Sequence, residues 1–385
     1  IKITLIILHT LNITIWKGEI MSKYKIVVYA ISKNEEKFVN RWVDSMKEAD
    51  DIYVLDTGST DNTVESLKKL GVHVTQEIIS PWRFDVARNK SLDLVPSDVD
   101  ICVCTDLDEV FLPGWRKKLE EIWKDNTTRL RYNYNWKLSK DNIPEVNFYI
   151  EKIHTRQNYY WVHPVHEVLY YKKDNEIFIT TDDITLNHYP DNNKSRSSYL
   201  PLLELSVKEQ PENDRNMHYL GREYMYYGKY EDAIKTLKRH LELKSATWKD
   251  ERCASMRFIS RCYKNLNNYS EAKHWADLAM KEAPHLRDPF VERALIDYDL
   301  KDWNQVINHC FKALDIKHNP KTYINEPFCY DHTIYDLLSI AFFQKELYKF
   351  SLVAINEALT ITPNEQRLIN NKAIIEKKVK AESSN

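Results

Sequence analysis

The stretch Asp100-Ile-Cys-Val-Cys-Thr-Asp-Leu-Asp-Glu-Val110 decides how the chain is read. An apolar run that ends in the carboxylates of Asp106, Asp108 and Glu109 reads as a buried strand delivering acidic side chains at its carboxyl end. Asp106 and Asp108 have the Asp-x-Asp spacing that sets two carboxylates on one face of an extended segment. Such a pair suits Mg²⁺ or Mn²⁺ shared with a substrate's phosphates. Taken alone, the spacing also fits an acidic loop after a strand, so the flanking sequence has to decide.

Upstream, Tyr24 to Ile31 has a strand pattern, and Glu35 to Ala49 has helical spacing of Phe38, Trp42, Val43 and Met46. Ile52 to Leu55 is a second buried strand. The turn Asp56-Thr-Gly-Ser-Thr-Asp-Asn-Thr63 follows, with Thr60 or Asp61 capping a helix that runs to Leu70 and stops at Gly71. Val72 to Gln76 is a third strand, Phe84 to Leu94 a helix, and Asp100 to Thr105 the fourth strand. This alternation predicts a largely parallel sheet with helices on both faces. Ligands of such sheets bind beyond the carboxyl ends of the strands. Four polar loops converge there: Ser32 to Glu35, Asp56 to Asp61, Trp82 to Asn89, and Asp106 to Glu109. The six glycines form neither G-x-G-x-x-G nor a P-loop, which leaves metal and Arg88 to hold phosphate.

At 385 residues the chain is long enough for two domains. A formal net charge of −2 gives no electrostatic reason for tight nonspecific binding to nucleic acid or to an anionic membrane. Six cysteines without a C-x-x-C pair suit a reducing cytoplasm. The apolar run Ile1 to Leu8 is too short to span a bilayer, so stable membrane insertion is not expected. Met21 reads as the natural start, because Lys17 to Met21 back-translates to a purine-rich ribosome-binding site before ATG. Residues 1–20 are therefore expected to be a non-native leader from a bacterial or phage reading frame.

Further on, Tyr160-Trp-Val-His-Pro-Val-His-Glu167 sets His163, His166 and Glu167 among aromatic residues, and Thr185-Leu-Asn-His188 follows a turn. His154 reads as a core histidine. Trp82, Trp136, Tyr159, Tyr160 and Trp161 are candidates to stack on a bound ligand, with most of them expected in the core. After a polar connector, Tyr199 to Val207 reads as a helix, and only helical pattern follows. Tyr230-Glu-Asp-Ala233, Tyr269-Ser-Glu-Ala272 and Trp303-Asn-Gln-Val306 each follow a short turn. Ala279, Ala313 and Ala358 recur at one offset from Tyr269, Trp303 and Tyr348. The layout resembles tetratricopeptide repeats of about 34 residues, irregularly spaced, whose stacked pairs leave a concave face for a peptide, protein or partner subunit.

Ala30-Ile-Ser-Lys-Asn-Glu-Glu36, Val54-Leu-Asp-Thr-Gly-Ser-Thr-Asp61, Phe84-Asp-Val-Ala-Arg-Asn89 and Thr105-Asp-Leu-Asp-Glu109 occur in the order seen in family 2 glycosyltransferases of GT-A fold. The resemblance covers roughly residues 24–190. It implies an α/β GT-A domain (21–198), a connecting helix (199–212) and an all-α tetratricopeptide-like solenoid (213–380). It further implies that Asp56 contacts the nucleotide base, that Asn34, Glu35, Arg88, Asn89 and Asp106 line the donor, and that Asp106, Asp108 and His188 hold the metal. Imidazole favours Mn²⁺ over Mg²⁺. Glu167 is the expected general base, with His166 as its rival.

The two-part arrangement also resembles bacterial glycocin peptide glycosyltransferases. The implied activity is metal-dependent, inverting transfer from a nucleotide-diphosphate sugar, with uridine the expected base, to a peptide or protein. Transfer to a cell-envelope glycan, with the tail serving for homodimerisation, and a noncatalytic helical scaffold are the alternatives. DNA-base glycosylation is disfavoured by the lack of net basic charge.

Overall fold

The computed structural model describes residues 23–191 and 197–383. The expected leader, residues 1–20, lies outside the described residues. The chain begins with β1 (Ile26–Ser32), α1 (Glu36–Met46), β2 (Asp51–Asp56), α2 (Thr63–Lys69), β3 (His73–Gln76), α3 (Phe84–Asp93) and β4 (Ile101–Cys104). These four strands run parallel in the order β3-β2-β1-β4. β1 has neighbours on both edges and cover on both faces. Ile26, Val28 and Ala30 join a core with Trp42 and Met46 of α1, and Val27 and Tyr29 join one with Leu92, Cys102 and Cys104. Burial on both faces is what writes a near-continuous apolar run into such strands.

Next come β5 (Glu109–Phe111), α4 (Trp115–Ile122), β6 (Arg129–Leu138), β7 (Pro144–Thr155), β8 (Tyr159–Val162), β9 (Val168–Tyr171) and β10 (Phe178–His188). They extend the sheet as β4-β7-β6-β10-β5, while β8 and β9 pair separately. β7 is antiparallel to both β4 and β6, β10 is parallel to β6, and β5 is antiparallel to β10. The expectation of a largely parallel sheet therefore holds for the first half only. The turn at 139–143 joining β6 to β7 is far too short for a crossover, so these strands can only pair as a hairpin.

The rest is helical: α5 (Tyr199–Glu209), then the hairpins α6 (Asp214–Tyr226)/α7 (Tyr230–Glu242), α8 (Lys249–Asn265)/α9 (Tyr269–Glu282), α10 (Asp288–Asp299)/α11 (Trp303–Asp315) and α12 (Thr333–Gln344)/α13 (Tyr348–Ile361), and finally α14 (Gln366–Ser383). One device closes every hairpin. The middle turn residue is left-handed: Gly228 (φ 71°), Asn267 (59°), Lys301 (58°) and Glu346 (61°). The next amide then bonds back into the first helix at 2.9 Å, as in Lys229 N to Tyr224 O and Leu347 N to Phe342 O. Small residues let the helices approach. A Cβ on Gly221 would lie 2.5 Å from Leu237 Cγ, so α6 and α7 pack only with glycine there. The expected two-part architecture, α/β then all-α, is what forms.

The two parts share a core. Val165 packs with Leu200, Leu203, Tyr219 and Leu220, flanked by Trp82 and Phe84. Arg83 grips Glu209 through two hydrogen bonds of 2.6 and 3.1 Å. Among the described residues, no helix is long and apolar enough to cross a membrane.

Candidate active site

The acidic stretch turns sharply after β4, with Glu109 N bonded to Asp106 O at 3.0 Å. β5 then pairs with the end of β10, which sets His188 opposite Glu109, and Tyr189 N donates to Asp108 O at 2.8 Å. Two strands distant in sequence thereby fix one corner. His188 stacks on Trp136, with centroids 4.4 Å apart and planes at 19°, and its Nδ1 lies 3.0 Å from Trp136 O. That places His188 Nε2 3.4 Å from Asp108 Oδ2. Asp106 takes Arg88 on one oxygen and Lys152 Nζ on the other, the latter at 3.0 Å. Glu109 accepts from Tyr134 OH at 2.8 Å, Lys152 Nζ at 3.1 Å and Asp106 N at 2.9 Å.

The electrostatics separate these groups. Burial opposes ionisation of Asp106, but Arg88 and Lys152 outweigh it and hold its carboxyl well below the usual range. Burial, reinforced by Asp106 and Asp108 against the pull of Lys152, pushes Glu109 up. For His188, burial disfavours the imidazolium, yet the neighbouring Asp108 carboxylate prevails and raises its pKa.

Arg88 is the hub. Only 3 % exposed, it donates Nε to Glu167 Oε1 at 3.0 Å and bonds Asp106 through another nitrogen. α3 thus ties the corner to the loop 163–167. That loop holds two left-handed histidines, His163 (φ 80°) and His166 (φ 52°). It is gripped from one side by Phe84 N bonding Pro164 O at 2.9 Å. From the other side Asn216 Nδ2 meets His163 Nδ1 at 3.2 Å, and the Tyr219 ring stacks on His166 at 4.1 Å. The helical region therefore supports this loop directly.

Asp106, Asp108, His188, Arg88 and Glu167, singled out in the sequence, are brought together by these contacts. Others are engaged locally. Asp56 is fully buried at the end of β2, where its carboxylate accepts from Ser32 Oγ at 2.9 Å and Ser59 N at 3.0 Å. Asn34 (φ 55°) stitches two loops, its N donating to Ser59 Oγ and its Oδ1 accepting from Thr60 N. Glu35 N donates to Thr63 Oγ1 at 2.8 Å. Asn89 commits both amide atoms to the Trp161 backbone, each at 2.8 Å. Of the aromatic candidates, Tyr159 and Trp161 are core, Trp82 sits at the domain seam, and Trp136 is 46 % exposed beside His188. His154 is buried, its Nε2 2.8 Å from Tyr29 OH. Sequence reasoning misses Lys152. Its one signal is a lone lysine between Ile150 and Ile153 on a strand.

Comparison with known proteins bears on both parts. The helical region is similar to "MamA" (17% identity, 46% of this chain, 99% of that one, TM-score 0.36). It is also similar to TTC0263, a thermophilic TPR protein in Thermus thermophilus (16%, 46% and 89%, 0.35), and to "YrrB: a TPR protein with an unusual peptide-binding site" (13%, 45% and 81%, 0.36). No curated protein sequence matches the chain. Residues 27–178, which hold the acidic stretch, Arg88 and Glu167, match the glycosyl transferase family 2 model, so this part of the chain is a family 2 domain and the activity is glycosyl transfer.

Proposed function

We propose that the chain transfers a sugar from a nucleotide-diphosphate donor, with inversion, to a peptide or protein acceptor, using Mn²⁺ or Mg²⁺ held by Asp108 and His188. The observation that carries this reading is the facing of Asp108 Oδ2 and His188 Nε2 at 3.4 Å, with His188 Nδ1 turned to the Trp136 carbonyl. A carbonyl on Nδ1 fixes the tautomer that leaves Nε2 as a lone-pair donor. Two ligands of one ion, each about 2.1 Å from it, stand roughly 3.0–3.4 Å apart. Charge supports the same assignment: Arg88 and Lys152 pair with Asp106, Glu109 and Glu167, which leaves Asp108 with His188 alone among these contacts. When bound, the cation supplies neutralisation of the leaving nucleoside diphosphate.

The chain's own groups do the rest. Asp106, clamped by Arg88 and Lys152, keeps the corner open to the donor's ribose and phosphates and is not itself the main metal ligand. Asp56 holds the turn 57–59 that borders the uridine, and Asn34 and Glu35 fix the neighbouring loop. Asn89 positions Trp161. Trp136 offers its outer face to the sugar ring. Glu167 is favoured over His166 as general base. Arg88 engages its Oε1, leaving Oε2 to take the acceptor's proton, whereas His166 is packed against Tyr219 and Tyr199. The helical hairpins, seamed to the catalytic loop, present the acceptor. Six free, buried cysteines suit a cytoplasmic setting.

Asp108→Ala tests the reading. Release of nucleoside diphosphate in Mn²⁺ should fall by a factor on the order of 10² to 10³ with an unchanged melting temperature. Undiminished release would overturn it. Mass spectrometry of wild type incubated with nucleotide sugars and candidate peptides reports donor and acceptor together.

A further inference from the structure

We infer that the helical region contains a second divalent-cation site, of the zinc type, built by Asp214, His240 and Glu251. These residues stand where three helices meet: Asp214 opens α6, His240 lies in the last turn of α7, and Glu251 in the first turn of α8. One ligand atom from each lies within 4.8 Å of the others. One nitrogen and two carboxylates form a donor set that suits Zn²⁺.

The geometry around His240 separates this site from an ordinary polar cluster. His240 is fully buried, and its Nε2 makes no hydrogen bond. That nitrogen lies 3.4 Å from Glu251 Oε1. The gap is longer than the usual N–H···O distance of about 2.7–3.2 Å. It matches the separation of about 3.4 Å between two ligands held roughly 2.1 Å from one tetrahedral ion. The outer atoms of both ligands are anchored. His240 Nδ1 meets Ser255 Oγ at 2.9 Å, and Glu251 Oε2 accepts from Tyr323 OH at 2.6 Å. Outer hydrogen bonds of this kind orient metal-ligating histidines and carboxylates. Asp214, half-buried at the solvent edge, supplies the third oxygen, within 4.8 Å of the other two ligand atoms.

A cation there would fasten α6 to α7 and α8. α6 carries Asn216 and Tyr219, which touch His163 and His166 of the catalytic loop. The site's role is therefore structural, fixing the support of that loop without touching substrate.

The test titrates Zn²⁺ alone into the metal-free full chain carrying Asp108→Ala, which silences the first site, with calorimetry as the readout. One equivalent is expected to bind. Adding Glu251→Gln should weaken binding by a factor on the order of 100, and Asp214→Asn by about 10. If Glu251→Gln fails to fold by circular dichroism, Asp214→Asn at the exposed edge decides, together with a tetrahedral absorption band from Co²⁺ in the parent that the variant loses. No binding in the parent, or undiminished binding in Asp214→Asn, overturns the proposal.

Discussion

Left-handed backbone at non-glycine residues serves different ends in two of the regions where it occurs, at His163 and His166 beside the acidic corner and at Asn267, Lys301 and Glu346 in the helical turns. In the turns the three side chains are exposed, and the conformation serves only to close the hairpin, as Gly228 does in the first repeat. In the loop, His163 is buried, and both histidines are held by contacts from the helical region. Each such residue costs on the order of 1 kcal/mol. In the hairpins that cost is incidental. In the loop it is maintained by packing from both sides, as strain at working sites commonly is.

The comparison is broken most forcefully at Tyr219. Tyr219→Ala should cost about 3 kcal/mol of stability through lost packing at the seam. It should also lower turnover about tenfold, because His166 loses its stacking partner and the loop relaxes. A variant that melts early yet turns over normally would show that turnover does not depend on the hold of the helical region on the loop 163–167.

A second effect follows from acid. His154 in the sheet and His218 in α6 are both pushed down to about 3, mainly by burial. Unfolded histidine takes a proton near pH 6.5, so between about 6.5 and 3 the unfolded chain binds protons that the folded chain refuses. Stability should therefore fall as pH drops through that window, by at most about 1.4 kcal/mol per pH unit for each histidine. Without a bound cation, His188 has the opposite sign. Its raised pKa adds stability that is full below about 6.5 and fades as pH climbs through the folded value. Urea midpoints that stay flat from pH 7 to pH 4 would refute the neutral buried state of His154 and His218.

The smallest change sharpens the contrast. Glu346→Gly should raise stability by about 1 kcal/mol with turnover unchanged, since glycine adopts the turn conformation without strain. The same exchange at His163 should give no such gain and should reduce turnover. A gain at both positions, by thermal melting, would erase the distinction.

Much of this is legible in the sequence. β1 and β4 declare themselves because burial on both faces writes continuous apolar runs, and the helical pairs because Tyr or Trp anchors and alanines recur at fixed offsets. The strands from 129 to 188 do not. β7 is half-buried along most of its length and shows no clean alternation, so periodicity has nothing to register. Asp106, Asp108, Arg88, Glu167 and His188 stand out by motif order, but residue type cannot say which way a polar group faces. Asn89 turns to the Trp161 backbone and Asp56 to Ser32 and Ser59. Lys152 belongs to the corner only because β7 lies next to β4, a neighbourhood no local spacing encodes.

The apolar seam around Val165, Leu203, Tyr219 and Leu220 has a practical consequence for anyone wishing to redirect the enzyme. α5 and α6 belong mechanically to the catalytic half, so a chimaera that swaps the whole tail would strip the loop of its scaffold. A graft cut in the turn after α9, exchanging only the later hairpins, would leave α5 to α8 in place beside that loop.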